Sequence, residues 1–325
     1  MQSLPVIDIS QENSLANAEL LAGTCQSIGF ILLKGHGVSP ALQDKVRSVS
    51  SAFFDLPTSQ KMAVEVGRGK NRGYRGFDTG SLAFSSGKSA PPDLRESFLM
   101  GPPDVPAGVA AEGCFAPNIW PESLPEMRDI MADYHRTMAD VAARTLDLAA
   151  LALRLPERYF RPFVDRSVSQ LQIVNYPDQS SPPAESQLRA SAHTDFGSLT
   201  LLLAEDKPGG LQVRMADGRW LDVAPPDPSF YIVNIGDLMA RWTNDRWRST
   251  VHRVVNPPRE AGISARRLSV VFFHHPNEDA IVACLPTCAS EDRPALYPPT
   301  TAGQHMIAKI SAVYARKPLA EDMKA

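Results

Sequence analysis

Short apolar runs separated by turn residues fill the second half of the chain. From Val168 onward, six runs have the length of β-strands and are bounded by Gly, Asp or Pro; they cover residues 171–176, 199–203, 211–213, 230–235, 251–255 and 268–273. Regularly spaced short strands are typical of a sandwich, a barrel or a jelly roll. We therefore expect a β-rich core in residues 166–280.

Residues 1–110 predict a mixed α/β region. Apolar residues at 5–9 and 28–33 favour two short strands. Ser39 is placed to cap a helix with Pro40 at its first position, and apolar residues recur at helical spacing until Pro57.

Two stretches that follow predict irregular structure. Residues 67–80 are rich in Gly and Arg, and residues 91–121 are rich in Pro and Gly. A short strand is predicted at residues 95–100.

A long amphipathic helix is predicted next. Ser123 and Glu126 have the spacing of a capping box, and apolar residues then recur at helical spacing toward Leu155. Core packing explains the methionines of this stripe better than a binding surface does. We expect the helix, within residues 111–165, to pack on the β-rich core.

Composition and charge exclude several kinds of partner. The net charge is −3 over 325 residues, 43% of them apolar, and no run of Lys or Arg is long enough to follow a phosphate backbone. We therefore expect no nucleic-acid partner. Residues 1–10 lack the pattern of a signal peptide and no later segment has the length of a membrane span, so we expect a cytoplasmic protein with no membrane partner. The four cysteines include no CxxC pair, which favours reduced thiols without a metal.

A histidine and an aspartate two residues apart form a candidate metal site. In extended backbone, His193 and Asp195 point to the same face. A third ligand must come from another strand, and His252 lies in a β-like run. Two imidazoles and one carboxylate leave coordination positions open, as in the Fe(II) oxygenases.

Taken alone, this triplet is weak evidence, because such spacings arise by chance and a single histidine is usually structural. The other histidines have no carboxylate two residues away on a predicted strand, and we assign them no metal role; they are His36, His135, His274, His275 and His305.

The surrounding sequence resembles the isopenicillin N synthase-like branch of the 2-oxoglutarate- and Fe(II)-dependent dioxygenases. The matching motifs occur in order: Tyr176-Pro177, Ala192-His193-Thr194-Asp195, Leu199-Thr200-Leu201-Leu202, Gly209-Gly210-Leu211-Gln212-Val213, Trp220, Val233-Asn234-Ile235-Gly236-Asp237, Ser249-Thr250-Val251-His252-Arg253-Val254 and Arg267-Leu268-Ser269. Residues 30–37 and 53–57 extend the match upstream, so the resemblance covers most of the chain.

The resemblance implies a mostly β fold with α-helices, in which a double-stranded β-helix (a jelly-roll, cupin-like core) is flanked by helices. It assigns the metal ligands, the co-substrate residues and the cofactors. Fe(II) is held by His193, Asp195 and His252. The distal carboxylate of 2-oxoglutarate is bound by Arg267, Ser269 and Tyr176, and O2 is the second co-substrate.

One position departs from the common plant pattern. Val174 stands two residues before Tyr176, where that pattern has Asn, and the neighbouring Asn175 can compensate only if the strand register differs. The assignment of Arg267 also has an independent reason. It shares a strand face with Ser269, and an arginine that points into an apolar core needs an anionic partner.

The implied reaction is oxidation of a C–H bond of a small molecule, hydroxylation by default, with decarboxylation of 2-oxoglutarate to succinate. Two alternatives remain open. One is an iron oxidase of the same fold that does not consume 2-oxoglutarate, and the other is a non-catalytic metal- or ligand-binding barrel. The sequence leaves the oligomeric state open and is compatible with a monomer.

The substrate site is predicted from residues 71–77 and from the residue after Asp195. Arg72, Tyr74 and Arg75 lie among glycines, which would let cationic and hydroxyl donors approach an anionic substrate, and Phe196 would contact its carbon skeleton. The alternative is that the arginines are solvated and Phe196 is core. We expect residues 281–325 to form a helical extension near the site.

Overall fold

The computed structural model describes residues 4–10, 15–65, 71–77, 80–86, 90–179, 181–205, 207, 210–258 and 264–314. The helices in these residues are α1 (Leu15–Ser27), α2 (Pro40–Asp55), α3 (Thr58–Met62), α4 (Glu126–Ala152), α5 (Asp237–Trp242) and α6 (Ala302–Tyr314). The strands are β1 (Val6–Asp8), β2 (Phe30–Lys34), β3 (Gly73–Arg75), β4 (Glu96–Met100), β5 (Gln170–Tyr176), β6 (Ala190–His193), β7 (Leu199–Ala204), β8 (Leu211–Arg214), β9 (Trp220–Val223), β10 (Tyr231–Ile235), β11 (His252–Val254), β12 (Arg267–His274), β13 (Ile281–Val282) and β14 (Thr300–Thr301).

Two sheets form the core of the fold. The larger has eight strands in the order β1-β2-β10-β7-β12-β5-β4-β3, and the smaller has four in the order β6-β11-β8-β9. Side chains of both sheets line one cavity, which therefore lies between them. This is a jelly roll flanked by helices, as predicted, and the sheets do not close into a barrel in the described part of the chain.

Strand β12 shows how side-chain alternation builds the two faces of the larger sheet. Leu268, Val270 and Phe272 belong to the hydrophobic core on one face. Arg267 and Ser269 point to the opposite face and line the cavity. The same strand thus stabilises the fold and contributes to the site.

Helices α1, α2 and α4 cover the outer face of the larger sheet. Their buried side chains join those of β5, β7, β10 and β12 in one apolar cluster. Met127, Met131 and Met138 on α4 are at most 1% exposed, which confirms their predicted role in core packing. Fully burying a methionine side chain contributes about 1.5–3 kcal/mol.

Of the two predicted helix starts, one is confirmed and the other is wrong. Ser39 caps α2 as predicted, since its hydroxyl accepts a hydrogen bond from the Leu42 amide at 3.2 Å. The predicted capping box at Ser123 is wrong, because α4 begins at Glu126 with Pro125 at its N-cap. The ring of Pro125 disfavours helical backbone at the preceding residue, so the helix cannot start earlier.

The six strands predicted after Val168 are all confirmed, each to within one residue at either end. Helix α1 and strands β3, β6 and β9 were not predicted. Helix α1 buries mainly small or weakly apolar residues, such as Ala18, Thr24 and Cys25, and so lacks a strong apolar stripe. None of the described helices combines the length and apolar character needed to cross a membrane.

Candidate active site

His193, Asp195 and His252 meet between the two sheets. His193 ends β6 and His252 begins β11, and the two residues are directly paired across these antiparallel strands. The Nε2 atoms of His193 and His252 lie 3.8 and 3.7 Å from Asp195 Oδ1. One candidate ligand atom from each residue lies within 4.8 Å of the other two, so one metal ion can bind all three.

Backbone carbonyls orient both imidazoles. His193 Nδ1 lies 2.7 Å from the Ser191 carbonyl and His252 Nδ1 lies 3.0 Å from the Thr250 carbonyl. Since a carbonyl can only accept, each Nδ1 carries the proton and each Nε2 presents its lone pair to the metal position. Burial and the neighbouring His252 lower the pKa of His193 to about 3, which keeps this ring neutral.

The carboxylate of Asp195 is held from the side away from the histidines. Asn234 Nδ2 donates to Asp195 Oδ2 at 2.7 Å, which leaves Oδ1 for the metal. Burial alone would raise the pKa of Asp195, but His252, His193 and Asn234 together lower it. The Asp237 amide also donates to the Asp195 carbonyl at 2.7 Å, which fixes the loop after β6.

This donor set fits Fe(II). Two neutral imidazoles and one ionised carboxylate on the same side of a metal form the facial triad of the non-haem Fe(II) oxygenases, which leaves the opposite coordination positions open.

The predicted co-substrate residues line the same cavity as the triad. The cavity has a volume of about 70 Å³ and contains His193, Asp195 and His252 together with Arg267, Ser269 and Tyr176. Arg267 on β12 is directly opposite Tyr176 on β5. All three of the predicted carboxylate-binding residues are at most 6% exposed.

The end of the cavity next to Tyr176 is rich in positive charge. The guanidinium of Arg189 lies 5.8 Å from the Tyr176 ring centroid. Arg95 and Arg267 both act electrostatically on the Tyr176 hydroxyl, opposing the rise in its pKa that burial causes. Buried arginines need anionic partners, so this end suits a carboxylate.

The strand register answers the question raised by Val174. Val174 lines the cavity, whereas Asn175 points to the opposite face. There Asn175 donates to Glu96 Oε1 at 2.7 Å and accepts from Arg266 Nε at 3.0 Å. The register is the regular one, so Asn175 does not replace the missing asparagine.

A second cavity of about 180 Å³ adjoins the first. Arg75 and Phe196, two of the four predicted substrate residues, line it together with Thr194. Helix α6 covers part of it through Met306 and Ile310.

The other two predicted substrate residues lie elsewhere. Arg72 is 6% exposed, packs against Gly101 and donates to the Cys114 carbonyl at 2.6 Å. Tyr74 belongs to the hydrophobic core, and its hydroxyl donates to Glu96 Oε2 at 2.6 Å. Neither side chain lines either of these two cavities.

Polar residues that the sequence analysis did not assign also line the second cavity, among them Arg95, Gln172 and His275. The alternation of side chains along a strand could have identified two of them from the sequence. Gln172 lies four residues before Tyr176 and His275 lies eight after Arg267, so each shares a face with a residue already placed in the site.

Helix α6 is tied to the loop that carries the triad. Lys309 Nζ lies 2.5 Å from Asp237 Oδ2, and Thr194 Oγ1 donates to the same oxygen at 3.2 Å. Thr194 stands between the two candidate ligands His193 and Asp195, so the position of α6 is coupled to that of the triad.

A jelly roll with two histidines and an aspartate around one point, next to a cavity end rich in arginines, defines a non-haem Fe(II) oxygenase. Matches to known protein families agree with this class of protein. Residues 4–123 match the family described as non-haem dioxygenase in morphine synthesis N-terminal, and residues 168–276 match the 2OG-Fe(II) oxygenase superfamily.

Individual proteins are similar over almost their whole length. The 2-oxoglutarate-Fe(II) type oxidoreductase hxnY of Emericella nidulans is 33% identical, over 99% of this chain and 95% of its own. A full-length Neurospora crassa protein, solved in complex with alpha-KG and thymine, has a TM-score of 0.81 at 31% identity, covering 96% of this chain and 97% of that protein. JOX2 in complex with 2OG, Fe and JA has a TM-score of 0.78 at 27% identity, covering 97% of this chain and 89% of JOX2.

The chain therefore belongs to the 2-oxoglutarate- and Fe(II)-dependent oxygenases. It is an oxidoreductase whose cofactor is Fe(II) and whose co-substrates are 2-oxoglutarate and O2, as the sequence resemblance implied.

Proposed function

We propose that this oxygenase hydroxylates a C–H bond of a small molecule bound in the second cavity. The observation that carries the proposal is one cavity that holds the His193–Asp195–His252 triad and the Arg267, Ser269 and Tyr176 side chains together. In the proposed assignment the triad binds Fe(II), and the other three residues bind the distal carboxylate of 2-oxoglutarate.

The reaction balances with one substrate and two co-substrates. 2-Oxoglutarate, O2 and R–H give succinate, CO2 and R–OH, with one oxygen atom in succinate and the other in the alcohol. Bound Fe(II) supplies the redox chemistry that couples these two oxidations.

The task of the protein is orientation and exclusion of water. Charge-assisted hydrogen bonds from Arg267 fix one end of 2-oxoglutarate. The apolar side chains of Val174 and Val271 line the same cavity and limit its hydration. The adjoining cavity brings a substrate close to His193 and Asp195, which line both cavities.

We further propose that the substrate carries an anionic group. Arg75 and Arg95 both line the second cavity, and Arg95 has one ion-pair contact in the described chain, to Asp93 at 3.8 Å. A longer-range partner of this kind leaves most of the guanidinium donors available for a carboxylate. Phe196 would contact the carbon skeleton.

The segments defined from sequence take separate roles in this proposal. Residues 1–110 contribute the cationic side of the substrate cavity through Arg75 on β3 and Arg95 just before β4, and residues 111–165 support the sheet. Residues 166–280 hold iron and 2-oxoglutarate, and the described part of 281–325 covers the substrate.

The test replaces His193, Asp195 and His252 singly by Ala, with Asp217→Ala as an exposed control. Each triad variant should lose Fe(II) binding and succinate release but keep the wild-type melting temperature of the metal-free protein, since no main core is emptied. Succinate release by His252→Ala close to that of the wild type would mean that the third ligand is misassigned. Oxygen uptake that does not depend on 2-oxoglutarate would instead favour the oxidase alternative.

A further inference from the structure

Two buried polar side chains in the substrate cavity make no hydrogen bond within the described chain. Gln172 is 7% exposed and His275 is 6% exposed, and both line the second cavity. The hydrogen bonds of His275 in the described chain involve its backbone: its carbonyl accepts from Ser167 Oγ and its amide donates to Ser169 Oγ, both at 3.0 Å. The polar side-chain atoms of Gln172 and His275 are not among the fully enclosed, unpartnered atoms of the described chain, so they open onto the cavity and can bind a ligand there.

The environment of His275 favours its neutral form. Burial lowers the pKa of His275 to about 4. Its ring packs against Gly197, where a Cβ atom would come within 2.8 Å of Nδ1. A neutral imidazole offers one donor and one acceptor, and a glutamine amide likewise offers both donors and an acceptor.

The two side chains lie along one face of the larger sheet. Gln172 is directly opposite Val271 on β12. His275 lies four residues beyond Val271 on the same face, about 13 Å away at 3.3–3.4 Å per residue. Both side chains line the same cavity of about 180 Å³, so one ligand bound in that cavity can contact both.

Arginine and aromatic side chains complete the chemistry of this cavity. Arg95 and Gln172 each line both cavities, and Phe196 and Phe273 add flat apolar surface. Cationic, amide and aromatic groups together favour a planar molecule with a carboxylate on one side and alternating donors and acceptors on another.

We propose that Gln172 and His275 bind the neutral polar edge of the substrate. The substrate class is then a small planar carboxylic acid with an amide-like edge, such as a ring that carries N–H and C=O groups. This inference rests on the proposed function, because it places the substrate beside the triad.

Three ring probes separate the two recognition elements. Orotate carries both the carboxylate and the amide-like edge, uracil carries only the edge, and benzoate carries only the carboxylate. Binding is measured by isothermal titration calorimetry to the anaerobic enzyme loaded with Fe(II) and 2-oxoglutarate.

We expect orotate to bind more tightly than either of the other probes. Gln172→Leu and His275→Phe should each weaken orotate and uracil by at least tenfold and leave benzoate within twofold. Arg95→Gln should weaken orotate and benzoate and leave uracil within twofold. Gln60→Leu, which removes an exposed amide on α3, is the matched control and should change none of the three affinities.

Three outcomes would overturn the inference. They are a failure of uracil and orotate to bind the wild-type enzyme, an equal loss of benzoate in Gln172→Leu and His275→Phe, and a loss of 2-oxoglutarate affinity as large as the loss of probe affinity. Substrate-independent succinate release by the wild type is measured in parallel. If that release is absent, the proposed function itself fails; if it is present, only the assignment of Gln172 and His275 is rejected.

Discussion

Arg266 and Arg267 are neighbours in sequence but serve opposite faces of the larger sheet. Arg266 donates to Asn175 Oδ1 and forms an ion pair with Asp55, whereas Arg267 lines the cavity with the triad. Arg253 follows the candidate ligand His252 in sequence, and its guanidinium stacks over the Trp220 ring at 4.0 Å. Arg267 is therefore the one of these three cations that is placed to bind a dicarboxylate.

This difference gives a matched pair of variants. Arg267→Ala should weaken 2-oxoglutarate binding by roughly 2–5 kcal/mol, because it removes a charge-assisted contact in a buried site. Arg266→Ala should leave that binding unchanged. The measurement is the 2-oxoglutarate concentration needed for half-maximal succinate release. Equal effects of the two substitutions would show that Arg267 has no special role.

Asn234 offers a second test at the level of single residues. Its amide holds Asp195 Oδ2 at 2.7 Å and so directs Oδ1 to the metal position. Removing a hydrogen bond to a metal ligand typically lowers metal affinity about 10–100-fold, and we expect this for Asn234→Ala in a titration with Fe(II). Asn256→Ala is the control, because Asn256 binds the Gln187 carbonyl away from the triad. Unchanged affinity in Asn234→Ala would contradict the proposed orientation of Asp195.

Strand register decides which of the predicted residues reach the cavity. A single sequence does not reveal that register. Tyr74 and Arg75 are adjacent in a three-residue strand, so they must point to opposite faces. The composition of residues 71–77 suggested a ligand site for both, but Tyr74 faces the core and Arg75 faces the cavity. His193 and Asp195 were easier to place, because a spacing of two residues in extended backbone brings both side chains to the same side, and they meet there although Asp195 lies in the loop after β6.

At the level of elements, the Lys309–Asp237 ion pair links α6 indirectly to the triad, since Thr194 donates to the same Asp237 oxygen. Lys309→Met should free α6 from Asp237 and accelerate hydrogen exchange in residues 302–311 by roughly tenfold, since a hydrogen bond to a charged group contributes about 1.5–3 kcal/mol. Lys34→Met is the control, because it removes a lysine from an exposed ion pair with Asp8 at 3.2 Å. If exchange in α6 is the same in wild type and Lys309→Met, other contacts hold the helix.

Elements with a strong apolar pattern were predictable, and elements defined by tertiary pairing were not. Strand β12 is apolar at position 268 and at all of 270–273, and it was found from sequence to within one residue. Strand β3 has three residues in a segment rich in Gly and Arg, and it exists because Tyr74 pairs with Phe98 on β4. Such a strand has no local signature, since its neighbour supplies the hydrogen bonds that define it.

At the level of the whole molecule, buried histidines make stability depend on pH. Burial lowers the pKa of His135 from an ordinary 6.5 to about 4, and burial lowers that of His274 to about 3. At pH values between these lowered pKa values and 6.5, the two histidines are protonated in the unfolded chain but neutral in the folded chain. Stability therefore falls as the pH falls through this window, by on the order of 3 kcal/mol for His135 alone once pH 4 is reached.

Urea unfolding at about pH 7 and about pH 4.5 measures this effect. His135→Gln cannot be protonated in the unfolded state and should show a smaller loss of stability between the two pH values than the wild type. Among the charged groups that act on His135, Asp104 raises its pKa whereas Arg136 and Arg72 lower it, so they do not reverse the sign. Identical pH dependence in the two proteins would exclude His135 as a source.

The placement of Arg75 and Arg95 at the β3–β4 edge of the larger sheet has an evolutionary consequence. His193 and His252 belong to the smaller sheet, so neither of these proposed metal ligands shares a strand with the residues proposed to select the substrate. Substitutions at positions 75 and 95 can therefore accumulate without altering the iron ligands. Descendants of one such oxygenase can acquire new substrates while they inherit the same oxidation chemistry, and a library randomised at these positions should sample the same divergence in the laboratory.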